Sequence, residues 1–312
     1  MSIFLGNAAT VGMQVLSLFV MMAFGFVMYK AKLIDSKGTD QMTDVLLWTV
    51  TPCLLIETFY GCREAGVSSS LLIFAAWAAA AMLLPLVIML FFFRKQPETD
   101  KPVLRFSAVL SNCGFMGLPL AQAMFGAQGV MYASIFVAVF MLIQWTVGYA
   151  LMSGGKMSVK KILFNPGIIG FAVSLPLLFL PFSIPEAVLS PIKTLASMNT
   201  PLAMVVIGAR LASANLKTAL LDKRVYIVSA LRLIIFPAMC FAALMLFPIG
   251  LDDTAKIVLI VEAAAPAAAT SALISAQTGK NSELGGGIVA VTTLISALTL
   301  PVAAALAKTF LI

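Results

Sequence analysis

One carboxylate stands inside a long apolar run, Glu262 in KIVLIVEAAAPAAATSALISAQTG. An ionisable group in hydrocarbon is expensive and points by default to function. Glu262 lies roughly 8 Å along a helix from the start of its run, at 1.5 Å per residue, too deep for a short side chain to reach water easily. As a carboxylate it can ligate Na⁺; as a carboxylic acid it can carry H⁺. A second candidate is SNCGFMGLPL at 111–120, where Asn112, Gly114, Gly117 and Pro119 together weaken a helix, because proline removes a donor and glycine adds freedom. Pro266 interrupts the Glu262 segment at the matching position but with different chemistry, within a run of small residues that allow close approach of a neighbouring backbone. In a membrane such non-helical backbone survives only when buried in protein or lining a wet cavity. Opened there, half-helix N-termini offer partial positive charge to an anion and freed carbonyls offer oxygens to a cation. Arg232 is the other charge within an apolar run; seven residues from its start, it is read as snorkelling to the interface, with a counter-charge for an anionic substrate as the alternative. Asp44 and Glu57 are read as interfacial.

The absent residues exclude much. The chain has no histidine, so His-dependent triads and His metal sites are ruled out. Its four cysteines, Cys53, Cys62, Cys113 and Cys240, lack the spacing of a zinc or redox site and read as small packing residues. There is no paired-aspartate motif of an intramembrane protease, so an enzyme is not expected, and no soluble output domain that would make a sensor.

The elements that position these residues must be membrane helices. Of 312 residues, 61% are hydrophobic and 11% charged, with a mean hydropathy of +1.05, far from the balance of a soluble domain. Apolar runs of spanning length recur throughout. They mark ten spans, near 10–29, 42–60, 71–93, 104–125, 130–152, 166–182, 192–211, 225–247, 257–278 and 284–306. The first lacks a preceding positive charge and reads as a retained span. The odd-numbered loops hold fifteen of the twenty Lys and Arg residues and the other side four, the remaining one being Arg232. Because positive loops stay in the cytoplasm, both termini are expected outside it. The net charge of +7 is thus a topology signal, and no nucleic-acid partner is needed.

Two proline pairs recur at nearly one offset: Pro52 and Pro201 are 149 residues apart, Pro119 and Pro266 147. This spacing predicts a duplicated five-helix unit, 1–155 and 156–312, joined near 153–161. An odd number of spans per unit inverts the second relative to the first. The expected fold is an all-α membrane protein of ten transmembrane helices in two inverted repeats, with broken helices four and nine meeting near the midplane, the pattern of a secondary transporter.

SNCGFMGLPLAQAMFG at 111–126, NTPLAMVVIGARLA at 199–212 and the late Leu300-Pro301 resemble the auxin efflux carrier family, whose bacterial members are described as malonate or malate permeases. The resemblance covers all ten spans. It implies the fold of the bile acid sodium symporters: spans 1, 2, 6 and 7 as a scaffold, through which the family resemblance also implies a homodimer, and spans 3–5 and 8–10 as a moving core. In those symporters a Ser-Asn pair and a Glu bind Na⁺, and Ser111, Asn112 and Glu262 match them. The plant carriers are not known for a sodium requirement, so this chain would keep a cation site that they lost. The run after Glu262 is alanine up to Pro266, without the glutamine the symporters use nearby, which speaks against a second Na⁺ site. The resulting expectation is an elevator-type transporter of a small organic anion, a dicarboxylate or an auxin-like monocarboxylate, in the cell membrane. Ser111, Asn112 and Glu262 would take Na⁺ or H⁺. Asn112, backbone at Gly117, Leu118, Pro119 and Pro266, and Thr270 and Ser271 would line the substrate site. The alternative is an uncoupled, potential-driven uniporter or exporter with a structural Glu262.

Overall fold

The computed structural model of the chain describes residues 2–61, 69–155, 164, 166–178, 183–247 and 250–311. Cys62, Arg63, Lys156, Lys160, Lys161 and most of the expected join at 153–161 lie outside them. Every named element among the described residues is helical. In chain order they are α1 Ser2–Lys30, α2 Ser36–Gly61, α3 Ser69–Met89, α4 Lys101–Val109, α5 Cys113–Ser153, α6 Pro166–Ser174, α7 Glu186–Ser213, α8 Leu216–Leu221, α9 Lys223–Leu246, α10 Asp253–Ala264, α11 Thr270–Gln277 and α12 Ser282–Phe310. Seven of these, α1, α2, α3, α5, α7, α9 and α12, are long and apolar enough to cross a membrane. The outer face of α1 carries Met13, Leu16, Val20, Phe24 and Val27 in the open, a stripe suited to lipid and not to water.

At 41 residues α5 would be about 60 Å long if straight, twice the hydrocarbon thickness. It doubles back instead at Gly126, whose φ of 56° and ψ of −137° suit glycine. Gly129 consequently rests against the backbone of Ala121. The first limb, 113–125, and the second, 127–153, therefore run in different directions.

Proline shapes the helices in a regular way. Three of the four π-turns among the described residues, Leu46–Val50, Cys113–Gly117 and Leu231–Ile235, end two residues before Pro52, Pro119 and Pro237. A proline ring collides with the carbonyl four residues back, and widening the preceding turn relieves the clash without ending the helix. The sequence reading placed the break of the fourth span around Pro119. The backbone leaves the helix earlier, at Leu110–Asn112, and Pro119 lies just past the π-turn that opens the resumed helix, at the start of its regular α-helical part, where its missing N–H costs little.

α1 packs along α7, and α2 packs on α6 and α7. Where α2 meets α7 the two Thr-Pro steps face each other, Thr51 Oγ1 donating to Asn199 Oδ1 at 3.4 Å. At one end of the molecule the segments before α4, α9 and α12 are tied together at Asp100. Its carboxylate receives Arg224 at 2.6 Å and Asn281 Nδ2 at 3.0 Å, and Arg224 also holds Asp222 at 2.7 Å. Burial pushes the Asp100 carboxyl up, but the hydrogen bonds from Asn281 and Arg224 outweigh it and hold it below the ordinary carboxylate range. A lowered folded-state pKa gives stability that is present at neutral pH and lost as pH falls through the lowered value. In detergent, Asp100→Asn is expected to lower the thermal midpoint at pH 7 by roughly 3–6 °C. The gap from wild type should narrow as pH falls below the ordinary carboxylate range.

Candidate functional site

α4 ends at Leu110, in extended backbone with φ −90° and ψ 122°. α10 ends at Ala265, with φ −60° and ψ 149°. The two freed strands meet in a short antiparallel bridge, Ser111 opposite Ala267. Asn112 N–H donates to Pro266 O at 2.7 Å and Ala268 N–H to Leu110 O at 2.9 Å. Thr292 on α12 accepts from Ala267 N–H at 3.1 Å. The donors and acceptors that two interrupted helices would leave bare are thus satisfied across the interruption, as burial demands. Each break supplies the other's partners.

Around this bridge the expected site residues are buried together. Ser111 is 1% exposed, Asn112 5% and Glu262 0%. Glu262, on the last turn of α10, lays its carboxylate against the Cα of Gly117 in the π-turn of α5. Neither carboxylate oxygen has a hydrogen-bond partner, nor have Ser111 Oγ and Asn112 Nδ2. Four unpartnered polar atoms at one crossing form a set of donors and oxygens suited to a small ion or a proton.

The substrate-lining expectation falls on the same crossing. Gly117, Leu118 and Pro119 are buried where the opening π-turn of α5 passes into regular α-helix, and Pro266 carries the bridging carbonyl. Thr270 and Ser271 open α11 and are held from the other half, Thr270 Oγ1 donating to Gln144 Oε1 at 2.6 Å and Ser271 sharing a hydroxyl contact with Ser107. A cavity of about 620 Å³ lies elsewhere, between the α1–α2 turn and α7, lined by Lys32, Asp35, Gln41, Met42, Met198 and Leu202 among others. Nothing ties it to the crossing, so the unpartnered groups, and not cavity size, mark the candidate site.

Arg232 corrects the sequence reading. It does not snorkel: only 3% exposed, it donates Nε to Ala265 O at 3.1 Å and its two terminal nitrogens to Val109 O and Ala263 O. These carbonyls are at the C-terminal ends of α4 and α10, where the helix dipoles are negative. The sequence held the signal, since Lys223 and Arg224 already mark the interface and put Arg232 about 12 Å deeper, farther than its side chain reaches. Gln144, Ser107 and Thr292 were also passed over. Of these only Gln144, a glutamine within an apolar run, is conspicuous in sequence.

Comparison with known proteins adds to this geometry. A family model described as membrane transport protein matches the chain twice, over residues 10–161 and 153–304, one match to each half. An uncharacterised transporter of Methanothermobacter thermautotrophicus is 25% identical over 305 residues, covering 96% of this chain and 98% of that protein. Another, from Methanocaldococcus jannaschii, is 34% identical over 171 residues, 52% of this chain and 54% of that protein.

Proposed function

The chain belongs to the membrane transport protein family, the auxin efflux carriers that its motifs resemble, and from that membership we propose that it is a secondary transporter of a small organic anion. The observation that carries this is the bridged crossing with Ser111, Asn112 and Glu262 buried and unpartnered beside it. Counting α4 with the first limb of α5, and α10 with α11, as interrupted spans, and α6 as a short one, supports ten spans in two inverted repeats. In this reading α1, α2, α6 and α7 are the scaffold, and the rest moves against it as an elevator in the cell membrane, with both termini outside the cytoplasm.

Na⁺ or H⁺ loads at Ser111, Asn112 and Glu262. Neutralising the carboxylate leaves the N-terminal ends of the first limb of α5 and of α11 free to receive an anion. The substrate is a dicarboxylate such as malonate or malate, or an auxin-like monocarboxylate, held by Asn112, by backbone at Gly117, Leu118, Pro119 and Pro266, and by Thr270 and Ser271. Uptake of labelled malonate, malate and indole acetate into proteoliposomes, with Na⁺ replaced by K⁺ and with a pH gradient imposed or collapsed, tests it. Wild type is expected to lose at least tenfold in rate when its coupling gradient is removed, and Glu262→Gln to lose that dependence. Uptake driven by membrane potential alone and untouched by Glu262→Gln would instead support an uncoupled uniporter.

A further inference from the structure

We propose that the Arg232 guanidinium is a tethered cation, permanently filling a carbonyl cage that a free ion would otherwise have to fill. Three carbonyl oxygens converge on it, Val109 O from α4 and Ala263 O and Ala265 O from α10. Each helix end carries roughly half a negative charge, so two ends facing one point match one guanidinium. The oxygens come from both halves of the chain, which places the charge at the seam of the duplication. A ring of backbone carbonyls around a buried positive charge is also how proteins hold monovalent metal ions.

The guanidinium is not the partner of Glu262. Both Glu262 oxygens are without a hydrogen bond, while three guanidinium nitrogens are taken by carbonyls. The crossing therefore keeps two separate balances: Arg232 against the C-terminal helix ends, and Glu262 against whatever loads from solution. This extends the proposed transport reading, since with one cation built in, a single exchangeable cation completes the site. The π-turn Leu231–Ile235, forced by Pro237, carries Arg232 at this point of the helix.

The test uses the full-length purified protein in detergent, with choline chloride as the only salt and no substrate. Arg232→Ala is expected to lose roughly 5–15 °C of thermal midpoint. Low-millimolar guanidinium chloride should return at least half of that loss while wild type gains nothing. Absence of recovery overturns the proposal. If the alanine variant does not fold, Arg232→Lys is compared with Arg232→Met: the tethered ammonium should keep the higher midpoint, and a methionine variant as stable as the lysine variant overturns it. These readouts involve no transport, so failed uptake leaves the inference standing, and its own failure leaves the coupling experiment on Glu262 intact.

Discussion

Replacing Gly117 by alanine is expected to cut coupled uptake by roughly 100-fold while leaving the protein folded. A Cβ built on Gly117 would stand 2.6 Å from Glu262 Cδ and 2.8 Å from Oε1, inside van der Waals contact. The obstacle is the end of a side chain and not backbone, so the carboxylate is displaced and the helices need not part. Glu262 is fully buried, and the carboxylate can clear the methyl only by leaving its position relative to Ser111 and Asn112. Misplacing a reacting group by about 1 Å commonly costs two orders of magnitude. Gly114→Ala, three residues earlier with nothing within 4 Å of its Cβ, is the control and should transport normally. Wild-type uptake and cation dependence in Gly117→Ala would remove Glu262 from the ion site.

The largest structural effect is expected at Gly208. Its Cβ would fall 2.8 Å from Met22 C and 2.9 Å from Phe26 N, while a Cβ on Gly25 would fall 2.8 Å from Val205 Cα and C. α1 and α7 thus touch backbone to backbone, as small residues allow where lipid gives helices no hydrophobic reason to associate. Main-chain atoms cannot rotate away, so Gly208→Ala must separate the helices along their contact, a cost of about 3 kcal/mol or more. The expected result is loss of the monodisperse peak on size-exclusion chromatography, or a midpoint lower by more than about 10 °C. Gly12→Ala, on the same α1 with open space around it, should behave as wild type. A well-behaved Gly208→Ala would show that the close approach is dispensable.

Much of this arrangement was legible in local sequence because the bilayer makes local rules strict. Polar or helix-breaking residues in an apolar run need a reason, and Asn112, Pro119, Glu262 and Pro266 announced theirs. Their being brought together rested on one further inference, the matched spacing of the prolines. Two things were not legible. The backbone breaks at Leu110–Asn112 rather than at Pro119, because a π-turn absorbs the proline clash and moves the break upstream, a choice made by the bridge partners 265–268. The role of Arg232 depends on three carbonyls from distant segments, and main-chain oxygens leave no trace in residue identity. The Gly25 and Gly208 contacts were hidden in the same way, since a glycine in a membrane helix is ordinary until its neighbour is known.

The bridge between Ser111 and Ala267 also constrains how the molecule is made. Synthesis delivers residues 110–112 to the membrane some 150 residues before their partners exist. During that interval the first half carries an open seam whose Leu110 carbonyl and Asn112 amide have nothing of their own chain to bind. Neither half can close alone. Either half expressed singly should be a target for quality-control proteolysis, and the two expressed as separate polypeptides should protect each other.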